Sequence, residues 1–234
     1  MNPATNEIDQ VVQGHWALAA AGLSDYVWGH ASVRTSSGNG ILIKSSGWAF
    51  EEIDESRIVE VSWDGDLITG TGRVHIEVPI HTQIMQARPD VAAVVHCHAP
   101  AVTAFASLDQ PLRAISHEGA FFADSLPRFE PTGDLIRTKE LGVALAGVLG
   151  EAPALIIPQH GLVATGPDIS TAVMNAAYLE TACRIQLLAA AAGGPVRWSS
   201  ADELAAKKLS LVARVKADYR YLVDKGTRLH REQL

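Results

Sequence analysis

Residues 75–100 read HIEVPIHTQIMQARPDVAAVVHCHAP, and the rest of the chain is read outward from them. The end of the stretch, DVAAVVHCH, is a short apolar run with the form of a buried strand. Side chains alternate along a strand, so His96 and His98 face one way and Cys97 the other. Two imidazoles on one face can share a divalent ion, each through a nitrogen at about 2.1 Å. The start of the stretch, HIEVPIHTQIMQAR, reads as a helix with Pro79 in its first turn, where proline is tolerated. That places His75 and Glu77 at the helix mouth, able to point at the strand-borne histidines. Further along, APALIIPQHGLVATG has the form of a second buried strand ending in Pro158 and then His160-Gly161, where Gly161 allows a sharp turn. Three histidines and a carboxylate, with room left for a substrate, make the layout of a catalytic metal site rather than a structural one.

Composition narrows the classes. The chain has 234 residues, 47% of them hydrophobic, enough for one sizeable core and short enough for a single domain over residues 1–234. No run of about 18 apolar residues suggests a membrane span. The polar start MNPATNEIDQ lacks the form of a secretory signal, so the expected location is cytoplasmic. Cys97 and Cys183 are too few and too far apart for a disulfide framework. A net charge of -7 without a basic stripe argues against nucleic acid as a partner, and the expected partner is a small-molecule substrate.

The order Glu77, RPDVAAVVHCHAP and QHGLVATG resembles the class II aldolase/adducin family, and the resemblance runs from the N-terminal helix to about Ala192. It implies an α/β fold of three layers, α/β/α, with a central mixed but mostly antiparallel sheet. It also implies one divalent ion per subunit (zinc, manganese, cobalt or iron) on His96, His98 and His160, with Glu77 transferring the proton. An open all-histidine site accepts several such ions. The resemblance further implies a homo-oligomer, a fourfold ring with active sites between subunits, so that Tyr219 or Tyr221 could reach a neighbour's site.

In sugar-phosphate aldolases of that family, a Gly-Asn-x-Ser segment and a Thr-Gly loop surround the substrate phosphate. Here they match Gly29-His30-Ala31-Ser32 and Ser46-Gly47, which makes His30, Ser32, Ser46 and Gly47 candidate substrate contacts. The Ser-Ser pair that precedes the glutamate in those enzymes is replaced by His75-Ile76. Isoleucine cannot donate a hydrogen bond to a phosphate oxygen. His75 is therefore a candidate contact for something other than phosphate.

The remaining segments form the frame. Residues 8–23 read as a helix closed by Gly22. The segment around SSGNG reads as a hairpin, and IVEVSWDGDLITGTG as a second with Asp64-Gly65 at its tip. The passage LRAISHEGAFFADSLPRFEPTG is long and irregular. Its His117 is either an acid/base or substrate group, or a structural histidine bonding a loop. Helices are expected over 139–149 and 169–192, the latter capped by Asp168. GGPVRW breaks the chain before a last amphipathic helix ending at Gly226.

Two enzymatic readings follow. One is a non-oxidative decarboxylase of a hydroxylated aromatic or pyridine dicarboxylate, of the 3,4-dihydroxyphthalate type, an offshoot that the resemblance includes. The incomplete phosphate grip favours it, as do Tyr26, Trp28, Trp48 and Phe50 near the site, which offer flat apolar surface for a ring unless they are simply core. The alternative is a class II aldolase, epimerase or dehydratase on a sugar phosphate or sugar acid. A non-catalytic scaffold, as in adducin head domains, would have no need of the full metal set.

Overall fold

All five residues of the strand that carries His96 are buried, because helices cover both faces of its sheet. The structure, a computed structural model, describes residues 3–123, 125–194 and 197–231. In chain order the elements are α1 (Pro3–Ala20), β1 (His30–Arg34), β2 (Gly40–Lys44), β3 (Ile58–Ser62), β4 (Leu67–Thr69), α2 (Val78–Ala87) and β5 (Ala93–Cys97). There follow α3 (Pro100–Ala106), α4 (Lys139–Leu149), β6 (Ala154–Ile157), β7 (Gly161–Gly166), α5 (Ile169–Ala191) and α6 (Ala201–Arg231). The seven strands form one sheet in the order β4-β3-β2-β1-β5-β7-β6. Every ladder is antiparallel, and the only parallel pairing among the described residues is an isolated bridge between Arg128 and Ile156. The sheet is thus less mixed than expected.

Strand alternation sorts the core into two halves. Ala31, Val33, Ala93, Val95 and Cys97 face α1, α3, α5 and α6, where they join Leu18, Phe105, Val173 and Leu211. Val94, Ile41, Ile43 and Val163 face α2 and α4, meeting Ile80, Ile84 and Leu145. Each such aliphatic side chain contributes about 1.5–3 kcal/mol by leaving water. His96 shares the parity of Val94, so its ring enters the α2 side. His30 is its register partner on β1, with Ser32 two residues further on the same face.

Both expected hairpins form, β1–β2 and β3–β4, as do the helices over 139–149 and from Ile169, where Asp168 accepts from the Thr171 amide. Glu77 stands at the N-cap of α2, with Pro79 in its first turn and His75 in the preceding loop, as the segment's reading places them. Three expectations are corrected. The segment 153–166 is two strands, β6 and β7, and His160 sits in the turn between them. The left-handed residue of that turn is Gln159, at φ 65°. Gly161 is required for space, since a Cβ there would lie 2.4 Å from the Cys97 carbonyl oxygen. Finally, α6 does not stop at Gly226 but continues to Arg231. Gly226 lets α6 press onto α1, because its Cβ would lie 2.2 Å from the Trp16 carbonyl oxygen. In the break before α6, Pro195 and Val196 lie outside the described residues.

No helix among the described residues is long and apolar enough to cross a membrane. Tyr219 packs against the core with its hydroxyl buried, while Tyr221 is exposed on α6.

Candidate metal centre and substrate cavity

Three short elements deliver four side chains to one point. His96 comes from β5, His98 follows it by one alternation, His160 comes from the β6–β7 turn, and Glu77 precedes α2. One ligand atom from each of the four lies within 4.8 Å of all the others. Glu77 Oε2 is 3.5 Å from His96 Nε2, and Oε1 is 3.7 Å from His160 Nε2.

The tautomers are set from behind. His96 Nδ1 donates to the Leu162 carbonyl at 2.9 Å, which leaves Nε2 as the free nitrogen. His98 Nδ1 meets Asp25 Oδ2 at 2.7 Å, a carboxylate behind an imidazole, which likewise turns Nε2 outward. The Nε2 atoms of His96 and His160 are buried without a hydrogen-bond partner. Unpartnered buried nitrogens are costly unless a bound group satisfies them. Burial also holds His160 at about 4 and lowers His98, so both are neutral at physiological pH, as a metal ligand must be. Burial raises the Glu77 carboxyl, while the Ile136 amide, which donates to Oε1 at 2.8 Å, and the polar surroundings on the His96 and His160 side lower it, so the group is ionised at neutral pH. Imidazole nitrogens facing one carboxylate fit a divalent cation. His96, His98 and His160 would hold it, with Glu77 beside them.

A cavity of about 650 Å³ opens beside this cluster. Of the expected substrate contacts, Ser46 and His75 line it. His30 and Ser32 do not. Both are buried beneath Glu77, where His30 Nδ1 lies 2.6 Å from His81 Nε2 and Ser32 Oγ lies 2.6 Å from His81 Nδ1. Gly47 is exposed at φ 100° outside the lining, and the Ser46 backbone N–H donates a hydrogen bond to the Arg73 carbonyl. His117 is exposed at the head of a short 3-10 turn, Glu118–Phe121, that packs on α5, and it does not line the cavity.

The aromatic residues divide. Trp28 lines the cavity and meets His98 edge-on, with ring centroids 5.9 Å apart. Tyr26, at φ 48° and largely exposed, leans on Trp28. Trp48 lies under the Arg57 guanidinium, and Phe50 is core. Three residues escaped the sequence reading: Asp25, His81 and Arg73. Arg73 is the one Lys or Arg in the lining, and its guanidinium has no partner among the described residues.

Residues 9–187 match the family described as Class II Aldolase and Adducin N-terminal domain. The chain belongs to the class II aldolase/adducin family. It is 31% identical over 196 residues to a 3,4-dihydroxyphthalate decarboxylase from Arthrobacter keyseri, covering 77% of each chain. It is 29% identical to the L-ribulose-5-phosphate 4-epimerase UlaF from Salmonella typhi, covering 77% of this chain and 83% of that one. Its structure is similar to that of an L-fuculose 1-phosphate aldolase from Glaciozyma antarctica, with a TM-score of 0.80 at 27% identity over 97% of this chain and 89% of that one. These class II aldolase relatives are enzymes, and this chain is one as well.

Proposed function

We propose that the chain is a divalent-metal-dependent decarboxylase of a hydroxylated aromatic dicarboxylate of the 3,4-dihydroxyphthalate type. The observation that carries this reading is the cavity lining. Where a sugar-phosphate enzyme of the family has two hydroxyl donors before the glutamate, this cavity has His75 and the exposed side chain of Ile76. Val27, Trp28, Ile76 and Leu135 give an apolar wall suited to a flat ring, and Arg73 offers a fork-shaped cation suited to a carboxylate. The similarity to the Arthrobacter decarboxylase points the same way.

A divalent ion on His96, His98 and His160 would supply positive charge where the ring oxygens become anionic. The chain's own residues do the rest. Arg73 and the apolar wall orient the ring. Glu77 is ionised at neutral pH and anchored through Oε1, so Oε2 is free to take a proton from a ring hydroxyl. It then gives that proton to the ring carbon bearing the carboxylate. The carbon–carbon bond breaks, its electron pair returns to the ring, and carbon dioxide leaves; water replaces the hydroxyl proton.

The test is to offer metal-loaded protein 3,4-dihydroxyphthalate and, separately, L-ribulose 5-phosphate and L-fuculose 1-phosphate, following carbon dioxide release, epimerisation and aldehyde formation. One carbon dioxide per catechol acid consumed is the expected result. Arg73→Gln should then raise KM about tenfold or more, the size of one lost charged hydrogen bond, with kcat little changed. Turnover of a sugar phosphate with none of the catechol acid would overturn the proposal in favour of an aldolase or epimerase, a reading that Ser46 in the lining would suit.

A further inference from the structure

Beneath Glu77 lies a buried polar chain that the reaction as drawn does not use. Ser32 and His30 project from β1 on the α2 side, and His81 projects from α2 between them. Ser32 Oγ is 2.6 Å from His81 Nδ1, His81 Nε2 is 2.6 Å from His30 Nδ1, and His30 Nε2 is 3.9 Å from Glu77 Oε2. All three residues are buried to 1% exposure or less.

Only one direction of protons satisfies both ends. If Ser32 donates to His81 Nδ1, then His81 carries its proton on Nε2 and donates to His30 Nδ1. His30 then carries its proton on Nε2, facing a carboxylate oxygen. In the reverse direction the Ser32 hydroxyl proton has no acceptor among the described residues. The His30 Nε2 lone pair would also face the lone pairs of Glu77, a buried mismatch that costs stability. The geometry points to His81 as a positioning residue that fixes His30 as its Nε2–H tautomer, so that an N–H 3.9 Å away faces Glu77 Oε2. Ile136 anchors Oε1 by a hydrogen bond, while the His30 N–H faces Oε2 from 3.9 Å, so the carboxylate is held at one oxygen and polarised at the other. The kinetic consequence rests on Glu77 as the proton carrier proposed above; the tautomer assignment does not.

Long-range proton–nitrogen correlation spectra of histidine-labelled protein, zinc-loaded and metal-free, read the tautomer directly, with the His30 signals assigned by their loss in His30→Asn. The wild type should show the His30 proton on Nε2. In His81→Leu that preference should be lost, with kcat down about tenfold or more and KM and zinc content within twofold. In His81→Gln the amide still donates to His30 Nδ1, which should restore the tautomer and most of kcat. A fall shared equally by the Gln variant would mark a merely structural role. A wild-type proton on Nδ1, or an unchanged tautomer in His81→Leu, would overturn the assignment whatever the substrate proves to be. An altered tautomer with undiminished kcat would overturn the positioning role. Should His81→Leu fail to fold, Ser32→Ala removes the far donor and should loosen the same tautomer; an unchanged His30 signal there would count against the chain.

Discussion

The floor and the rim of the site are built differently. The floor, Glu77 with His96 and His160, is buried, and it hangs from a strand, a tight turn and a helix start whose backbones are locked into the sheet or into α2. The rim, residues 26–28 with Ser46 and Arg73-Val74-His75-Ile76, is loop throughout, with Tyr26, Trp28, Arg73 and Ile76 exposed. Groups that must sit within fractions of an ångström of one another are best placed on rigid elements, whereas substrate-facing groups can vary on loops over the same scaffold. The family's relatives fit that division: a decarboxylase, an epimerase and an aldolase resemble this chain along most of its length.

If the floor carries the chemistry and the rim the choice of substrate, damage to the floor should appear in kcat. The largest effect is expected from Glu77→Gln, which keeps the shape and the acceptor for the Ile136 amide but cannot carry a proton. Turnover should fall by about 100- to 10,000-fold with metal content unchanged, measured by steady-state kinetics beside elemental analysis. Wild-type turnover in this variant would move the proton transfer elsewhere and dissolve the contrast.

The two regions also differed in legibility. The floor was readable because His-x-His in an apolar run states its own geometry: alternation alone puts both rings on one face. His160 is marked by the glycine that follows it, although the segment reads as a single strand because Pro158-Gln159 interrupts the apolar run for only a moment. What remained hidden depends on distant parts of the chain. Asp25 lies 73 residues before the imidazole it supports, and Ser32 lies 49 before its partner His81. His81 by itself is one histidine on an apolar helix, with no local sign that β1 would set His30 and Ser32 against it. Arg73 sits in a loop whose place at the cavity follows from the sheet and not from any motif. The resemblance implies substrate contacts at His30 and Ser32, but strand parity turns both into the α2 layer below the cavity.

A smaller effect should come from behind the floor. Asp25→Asn removes the negative charge behind His98 while keeping an acceptor for Nδ1–H. Outer partners of metal-bound histidines are worth about 10- to 100-fold in metal affinity. Competition with a chelator should therefore show zinc held about that much more weakly, with the thermal stability of the metal-free protein hardly altered. Unchanged affinity would mean that the Asp25–His98 pair serves the loop that carries Trp28 and not the ion.

The smallest expected effect lies where floor and rim join. Lys44, at the end of β2, is fully buried, and its Nζ donates to the carbonyls of Val27 at 2.9 Å and Trp48 at 2.6 Å, tying two loops beside the cavity. Burial pulls its pKa from 10.5 to about 8. Below pH 8 the amine is charged in both the folded and the unfolded chain, and the cost of burying that charge is present in full. Between about 8 and 10.5 the unfolded chain binds the proton more often than the folded one, so this group makes stability rise with pH, by at most about 1.4 kcal/mol per pH unit. Denaturation of the wild type and of Lys44→Met at pH 7, 8, 9 and 10 isolates the term: the wild type should gain on the variant from pH 8 upward. A neutral amine keeps two N–H donors for the same two carbonyls, so the rim should stay tied through the titration and KM should not jump near pH 8. Lys44→Met, which cuts both ties, should raise KM at every pH while leaving metal content alone. Were it to lower kcat and release the ion instead, the rim would be part of the floor, and the division drawn between them would be wrong.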